Sequence, residues 1–368
     1  MATVTKSIGT SSRDYSTIAA WEADLDSSSI YSSGDDAVGE LYNDSVFVED
    51  IDIDGGGSIG LDTITLTSSD TEGNRHRGIK NSGPIVRHNS SSRDFIEVAG
   101  NATVDSVTIS FIEFDGDDDS VSNGDDKHCI KYTGATELYF QNNLLHSWGS
   151  GQDASDTRTF KVEGDKTVFT NNFIFNIHGG SGHTWYVFMG NSSSAKECLI
   201  LNNSFYDIDK QSAANSYLFS HVHTHANSRI RNNVIMDENL TAVIGTGTKH
   251  GSAVTDYVCY DASSLTGFTN VVEDTSSNAF SDNTVSDPNL HLKSISNCID
   301  AGVDLGASPT NVAVDIDGRN RHTEEDTWDL GADEYTAASI TGKRDGFLKP
   351  NYSSRIAFIL VDPSSEII

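Results

Sequence analysis

The stretch Phe140-Gln141-Asn142-Asn143-Leu144-Leu145 places two asparagines among apolar neighbours, and the same phrase recurs three more times. The other copies are Phe169-Thr170-Asn171-Asn172-Phe173-Ile174, Ile200-Leu201-Asn202-Asn203-Ser204-Phe205 and Ile230-Arg231-Asn232-Asn233-Val234-Ile235. From the first asparagine of one copy to that of the next, the steps are 29, 31 and 30 residues. A step of this size is typical of repeat proteins, whose units stack because none can bury its apolar face alone.

The repeated phrases predict strands rather than helices. Each copy has an apolar residue two positions before the asparagine pair, and no helical run of ten or more residues flanks it. Asparagine tolerates the left-handed backbone of a sharp turn, and stacked asparagines can hydrogen-bond through their amides. We therefore predict an all-β, single-stranded parallel β-helix with three short strands per turn. Its structural turn residues would be Asn142, Asn171, Asn202 and Asn232.

Residues 1–40 are predicted to be an N-terminal cap. Ile18, Trp21 and Leu25 share one face of a short helical pattern that could cover the open end of the first coil. Exposed strand edges at the end of a repeat array favour aggregation, so a short capping helix is physically expected there.

The strongest family resemblance lies between residues 287 and 335. It consists of Asp287-Pro288-Asn289-Leu290-His291-Leu292, Cys298-Ile299-Asp300-Ala301-Gly302, Asp315-Ile316-Asp317-Gly318-Arg319 and Trp328-Asp329-Leu330-Gly331-Ala332-Asp333-Glu334-Tyr335. This ordered set resembles the end of the helix domain in right-handed parallel β-helix (pectin-lyase-like) repeat proteins of bacteria and phages. The resemblance implies a right-handed β-helix over residues 41–335. It implies no activity, because that architecture hosts lyases, hydrolases, adhesins and virion spikes.

Charge and cysteine content limit the partners of the chain. Its 24 Lys and Arg against 54 Asp and Glu give a formal charge of −30, which argues against nucleic acid as a partner. No stretch reaches the roughly 20 apolar residues of a membrane helix, so no membrane insertion is expected.

The four cysteines, Cys129, Cys198, Cys259 and Cys298, are far apart in sequence, and we expect reduced, mostly buried thiols. The first residues do not resemble a Sec signal.

Aromatic and histidine side chains follow the asparagine pairs at similar offsets. If they stack on one face, they would form a stripe suited to binding sugar rings, and packing of loops against the coil is the alternative. The predicted carbohydrate-binding residues are His146, Trp148, His178, His183, Trp185 and Tyr206.

Two stretches have the composition of metal sites. Asp117, Asp119 and Asp125 lie in an acidic loop that could hold calcium, although a solvated loop explains the same run. His221, His223 and His225 would share one strand face, with an exposed polar face as the alternative. No cofactor is predicted apart from this possible calcium.

Residues 336–368 are predicted to be a C-terminal docking or oligomerisation tail, because a basic start precedes the β-prone run Ile356-Ala357-Phe358-Ile359-Leu360-Val361. We expect a non-catalytic structural or attachment protein, a phage spike, fibre or decoration protein, with possible glycan binding. Its partners would be other virion proteins or itself, as a homotrimer, and a polysaccharide. It would be assembled in the host cytoplasm, or be extracellular by a non-Sec route.

The alternative is a polysaccharide lyase or glycoside hydrolase of the pectin-lyase-like class. The chain has Asp125-Asp126, His178-Gly179 and Arg229-Ile230-Arg231, which resemble parts of the pectin-hydrolase motifs, but the intervals between them are too long. Lys161 and Lys166 are candidate lyase bases. A strand with outward polar residues also explains why Arg229 and Arg231 flank Ile230.

Overall fold

The computed structural model describes residues 2–71, 73–89, 94–99, 103–116, 128–134, 136–149, 157–179, 184–190, 196–211, 213–245, 251–262, 264–309, 312–324 and 327–336. The first strands are β1 (Thr3–Ile8), β2 (Asp36–Leu41), β3 (Val46–Val48), β4 (Ile51–Ile53), β5 (Thr63–Ser68), β6 (Ile85–Arg87), β7 (Ile96–Val98), β8 (Ser106–Ser110), β9 (Glu113–Asp115), β10 (Ile130–Tyr132), β11 (Glu137–Gln141) and β12 (Leu144–Gly149). They are followed by β13 (Thr157–Val162), β14 (Lys166–Thr170), β15 (Phe173–His178), β16 (Thr184–Gly190), β17 (Glu197–Leu201), β18 (Ser204–Asp209), β19 (Asn215–Ser220), β20 (Arg229–Asn239), β21 (Ala242–Ile244), β22 (Val254–Tyr260), β23 (Thr269–Glu273), β24 (Phe280–Asp282) and β25 (Asn289–Leu292). The helices are α1 (Ile18–Glu22), α2 (Ser276–Ala279) and α3 (Arg321–Glu324).

The strands form three parallel faces. The first face runs β1-β2-β5-β8-β11-β14-β17 and reaches β20, and the second runs β3-β6-β9-β12-β15-β18 and also reaches β20. The third runs β4-β7-β10-β13-β16-β19-β21. This is a β-solenoid of about 7 turns, and it confirms the predicted parallel β-helix.

The core of the solenoid is a column of apolar side chains in matching register. Phe140 lies opposite Phe169, which lies opposite Ile200, and all three are fully buried. The rings of Phe140 and Phe169 are 5.2 Å apart. Sequential coils therefore bury one another, which explains why the apolar position before each asparagine pair repeats with the coil.

The first asparagine of each pair makes the turn between the first and second faces. Asn142, Asn171, Asn202 and Asn232 have φ of 54°, 55°, 53° and 54°, which confirms their predicted left-handed turn conformation. Phe111, at the equivalent position one coil earlier, has φ 58°.

The second asparagine, rather than the first, makes the ladder between coils. The Asn172 Oδ1 accepts from the Asn143 backbone N–H at 2.9 Å, and the Asn203 Oδ1 accepts from the Asn172 N–H at 3.0 Å. The Asn172 amide also donates to the Phe140 carbonyl at 3.0 Å. These bonds satisfy buried backbone groups at a turn where strand pairing is interrupted.

A second left-handed position recurs five residues after the first asparagine. Ser147, Asn176, Asp207 and Asp237 have φ of 57°, 54°, 52° and 50°. One residue in this conformation breaks the strict alternation of side chains along a strand. The residue that follows it therefore returns to the interior, as Trp148 and Ile177 do.

The predicted capping helix is present as α1. Ile18, Trp21 and Leu25 are at most 1% exposed, as their shared face predicts. Thr17 caps the helix by accepting from the Ala20 N–H, and the Glu49 carboxylate accepts from the Ile18 and Ala19 N–H groups. The sheet itself begins within residues 1–40, because β1 pairs with β2 and β2 pairs with β5.

The described part of residues 275–335, here called the C-terminal cover, packs on the outside of the coils. Its Phe280, Leu290 and Leu330 form a second apolar core with Phe173 and Val234 on the outer surface of the second face. The first asparagines also bind this segment: the Asn202 amide donates to the Val312 carbonyl at 3.0 Å, and that of Asn232 to the Val303 carbonyl at 2.8 Å.

The expectation of four reduced thiols is wrong. Cys259 of β22 and Cys298 of the C-terminal cover form a disulfide with their Cα atoms 5.8 Å apart, while Cys129 and Cys198 are free and buried. The pairing joins residues 39 positions apart that come together only when the cover folds back onto the coil.

No helix in the described ranges is both long and apolar enough to cross a membrane. Apart from Thr336, the predicted tail at 336–368 lies outside the described residues. The predicted domain division stays a prediction.

Candidate functional site

The aromatic residues predicted to line a sugar-binding stripe are mostly inside the protein. Trp148 and Trp185 are at most 1% exposed: Trp148 stacks on Phe95 at 6.1 Å, and the Trp185 Nε1 donates to the Thr159 hydroxyl at 3.0 Å. The expected row of exposed rings is therefore not formed by these residues. Trp148 is buried because the left-handed backbone of Ser147 turns the next side chain inward.

Tyr206 and His146 lie on the outer side of the second face, yet both are buried. Tyr206 packs against Phe280 of the C-terminal cover, with ring centres 5.8 Å apart. Burial raises the pKa of Tyr206 to about 12. The His146 Nε2 is 3.0 Å from the Glu113 carboxylate, and its ring stacks on Phe175.

His178 is half-buried, with its Nε2 3.8 Å from the Asp207 carboxylate. The other predicted positions, His183 and the calcium candidates Asp117, Asp119 and Asp125, lie outside the described residues. Carbohydrate and calcium binding by these residues stay predictions.

The three histidines at 221–225 do not share a strand face. Strand β19 ends at Ser220, His221 has φ 58°, and residues 221–228 form turns. His223 is buried whereas His225 is half-buried, so the alternation expected of a strand does not apply. The interpretation of this stretch as a strand is wrong because the turn begins immediately after Ser220.

A pocket of about 310 Å³ lies on the outer side of the first face, between the coils and the C-terminal cover. Strands β14, β17 and β20 form its wall, and the stretch from Asp304 to Pro309 forms its rim. Its lining residues are Lys166, Glu197, Leu199, Leu201, Asn227, Arg229, Arg231, Asp304, Leu305, Ser308 and Pro309. Its size falls in the range of small-molecule sites, which combine an apolar floor with a few polar groups.

The register of the strands explains which residues reach this pocket. Lys166 lies beside Glu197, and Leu199 lies beside Arg229, so outward positions of consecutive coils become neighbours. Ile230, between the two arginines, is buried in the core. The expectation that Arg229 and Arg231 are outward polar residues of a strand is confirmed.

Two of the three cations in the pocket are engaged by acids. The Lys166 ammonium donates to Glu137 at 2.9 Å and to the Tyr139 hydroxyl at 3.1 Å. Burial opposes the charge, but these two hydrogen bonds outweigh it and raise the pKa of Lys166. Arg231 makes two hydrogen bonds to the Asp256 carboxylate, at 2.5 and 3.1 Å.

Arg229 and Glu197 are the charged groups with capacity left for a ligand. The Arg229 Nη1 donates to the Asn227 carbonyl at 2.8 Å, and within the described residues its guanidinium makes no ion pair. The Glu197 carboxylate likewise has no hydrogen-bond partner in the part of the chain that the structure describes. A guanidinium with free donors beside leucine side chains can bind a carboxylate or a row of hydroxyls.

Within the ranges that the structure describes, two groups of side chains have the separation of metal ligands. In the first, Cys259 and Cys298 flank Asp274, but the two sulfurs are bonded to each other. The second contains His291, Asp317 and Asp333, whose ligand atoms lie within 4.8 Å of one another.

Comparison with known proteins assigns no family to the chain. No family model matches the chain, and no curated protein matches it. One solved structure that it resembles is the pectin methylesterase from Aspergillus niger in deglycosylated form, with 14% identity and a TM-score of 0.38. The match covers 74% of this chain and 90% of that one. The chain is a parallel β-solenoid. That assignment depends on the parallel register of its three strand faces.

Lys166, Arg229 and Arg231 are candidates from the sequence, but the pocket itself was not predicted because only half of it is encoded in the repeat. Leu199 and Arg229 lie three positions before the first asparagine of their copies, where an outward side chain is expected. The other half comes from residues 304–309, far along the chain, and no local pattern indicates where that stretch lies.

Proposed function

We propose that the chain is a non-catalytic attachment protein that holds an acidic glycan in the pocket around Arg229. The observation that carries this proposal is the guanidinium of Arg229, which makes no ion pair with any described residue and lines a pocket of about 310 Å³ on a protein of charge −30. An unpaired cation at a concave site is the feature that would select an anionic ligand despite the overall negative charge.

The chemistry of the pocket suits one uronate-type sugar residue. Arg229 would donate to the sugar carboxylate, and Leu199 and Leu201 would contact the apolar side of the ring. Glu197 would accept hydrogen bonds from hydroxyl groups. This assignment moves the proposed glycan site from the buried aromatic residues to the outer side of the first face.

As a finer part of the same proposal, the protein is a spike, fibre or decoration component of a phage particle, assembled in the host cytoplasm. The alternative location is extracellular by a non-Sec route. Its protein partners would be other virion proteins or two further copies of itself, joined through the tail at 336–368. The support for this part is the family resemblance of the sequence and the apolar run of the tail.

A polysaccharide hydrolase is the second candidate, because Glu197 and Asp304 place two carboxyl groups in one pocket. Glycoside hydrolysis uses such a pair as acid and base or as acid and nucleophile. A lyase that uses Lys166 is disfavoured, since the raised pKa of this amine keeps it protonated and unable to abstract a proton.

Binding and cleavage should be measured on the same panel of acidic and neutral polysaccharides, with and without calcium. We expect an acidic polymer to bind, and Arg229→Ala to weaken that binding about tenfold or more, as expected for loss of a charge-assisted hydrogen bond. Arg13→Ala is the matched control, because Arg13 pairs with Asp44 in the first coil, outside the pocket.

New reducing ends or unsaturated products would overturn the non-catalytic proposal. In that case Glu197→Gln and Asp304→Asn would test the hydrolase. Absence of binding to every acidic polymer, or equal binding by Arg229→Ala and wild type, would refute the assignment of the pocket.

A further inference from the structure

Three side chains from separate stretches of the C-terminal cover converge at one point. His291 belongs to β25, Asp317 to the turn after Ile316, and Asp333 to the stretch before Tyr335. A backbone hydrogen bond joins two of these stretches: the Ile316 N–H donates to the Ala332 carbonyl at 2.9 Å. Each side chain offers one ligand atom, and these atoms lie within 4.8 Å of one another.

The imidazole of His291 is oriented by a second residue. The Asn289 Oδ1 accepts from the His291 backbone N–H at 3.2 Å and lies 2.5 Å from the His291 Nδ1. Because the backbone N–H identifies that atom as the amide oxygen, the Nδ1 donates to it, and the Nε2 forms a hydrogen bond with the Asp317 Oδ1 at 3.0 Å. An ion that binds here would take the place of the Nε2 proton between His291 and Asp317, while the bond to Asn289 keeps the imidazole oriented.

The two carboxylates are also fixed from outside the cluster. The Asp317 Oδ2 accepts from the Arg319 guanidinium at 2.9 Å, and the Asp333 Oδ2 accepts from the Leu292 N–H at 2.7 Å. Asp333 is 4% exposed, and its Oδ1 has no hydrogen-bond partner in the described ranges. Burial of a carboxylate costs free energy, which a bound cation would offset.

We propose that His291, Asp317 and Asp333 bind a divalent first-row transition-metal ion of the zinc or manganese class. One imidazole nitrogen and two carboxylate oxygens suit such an ion, whereas calcium prefers oxygen ligands alone. Bond lengths of about 2.0–2.2 Å require ligand atoms up to roughly 4 Å apart, so small side-chain rotations suffice. The ion would cross-link three stretches of the cover that share few backbone hydrogen bonds.

The test is a titration of the metal-free, full-length protein with Zn²⁺ in the presence of a coloured competing chelator. We expect one equivalent to bind at this site, and Asp317→Asn and His291→Gln to weaken binding at least tenfold. Asp287→Asn is the matched control, because it removes an exposed carboxylate near β25 and should leave the affinity unchanged. Binding of Zn²⁺ should also raise the melting temperature of the wild type but not of Asp317→Asn.

Two further measurements keep the proposal testable if a ligand variant fails to fold. Asn289→Ala leaves all three ligands in place and should weaken binding about tenfold through loss of the orienting bond. With Co²⁺ as the probe, the wild type should show visible absorption bands without a thiolate charge-transfer band. Equal Zn²⁺ affinity in wild type and Asp317→Asn, no binding by the wild type, or a thiolate band from the Cys259 region would overturn the assignment.

Discussion

The two asparagines of each repeat are expected to differ sharply in what they contribute to stability. In Asn172→Ala the hydrogen bonds lost are those that the side chain makes to the Asn143 N–H, the Phe140 carbonyl and the Asn203 Oδ1, at 2.9, 3.0 and 2.9 Å. Each net hydrogen bond contributes about 1 kcal/mol, and a buried N–H left without a partner costs about 1–3 kcal/mol more. The free energy of unfolding should therefore fall by roughly 4–6 kcal/mol.

Asn171→Gly is the matched comparison in the same coil. Asn171 has φ 55°, a conformation that glycine adopts without steric cost. Its side chain makes two long contacts, from the amide to the Val312 carbonyl and from the Arg321 guanidinium to the Oδ1, each at 3.5 Å. In this variant the free energy of unfolding is expected to fall by about 1 kcal/mol or less. Urea unfolding followed by circular dichroism compares the two variants. A loss in Asn171→Gly equal to or larger than that in Asn172→Ala would refute the division into turn residue and ladder residue.

Three further predictions concern the C-terminal part of the chain. Burial raises the pKa of Asp329 to about 7, above the value of roughly 3.9 in an unfolded chain. Between these two pH values the folded state holds a proton that the unfolded state has lost. The free energy of unfolding should therefore fall as pH rises from 4 to 7. Asp329→Asn should flatten that slope in urea midpoints measured at pH 4.5, 6 and 7.5, and an unchanged slope would contradict the assignment. The paired Cys259→Ser and Cys298→Ser variant should lose about 4 kcal/mol under oxidising conditions, as loop entropy predicts for a separation of 39 residues, and should match the wild type in reductant. Ile359→Asp in the full chain should convert a trimer into monomers by light scattering, and a wild-type monomer would contradict the proposed role of the tail.

The fold could be predicted from the sequence because its stabilising contacts recur with the repeat. The step between asparagine pairs sets the coil length, and Phe140, Phe169 and Ile200 occupy one interior position in three successive coils. A pattern that repeats along the chain indicates which residues meet, since each coil meets only the next. The capping helix was predictable for a similar reason, because its apolar face is local.

The candidate sites were harder to predict because their contacts join distant residues. The Asn142 amide donates to the carbonyl of Asp315, 173 positions away, and the pocket is completed by residues 304–309. The burial of Trp148 has a local reason that periodicity hides. A left-handed residue such as Ser147 shifts the alternation by one, so Trp148 points into the core instead of outward.

The C-terminal cover is held to the coils by a different kind of contact from the coils themselves. Coils pair through continuous parallel ladders, whereas the cover is held by single contacts: asparagine amides to its carbonyls, the Cys259–Cys298 disulfide and a shared apolar core. Segments with few backbone hydrogen bonds open at lower free energy than ladders do.

Reduction of the disulfide should therefore release the cover before the solenoid unfolds, and the pocket around Arg229 would lose the rim that residues 304–309 supply. Loss of glycan binding in reductant, with the strand signal in circular dichroism retained, is the expected observation. Retained binding would mean that the wall formed by β14, β17 and β20 holds the ligand alone.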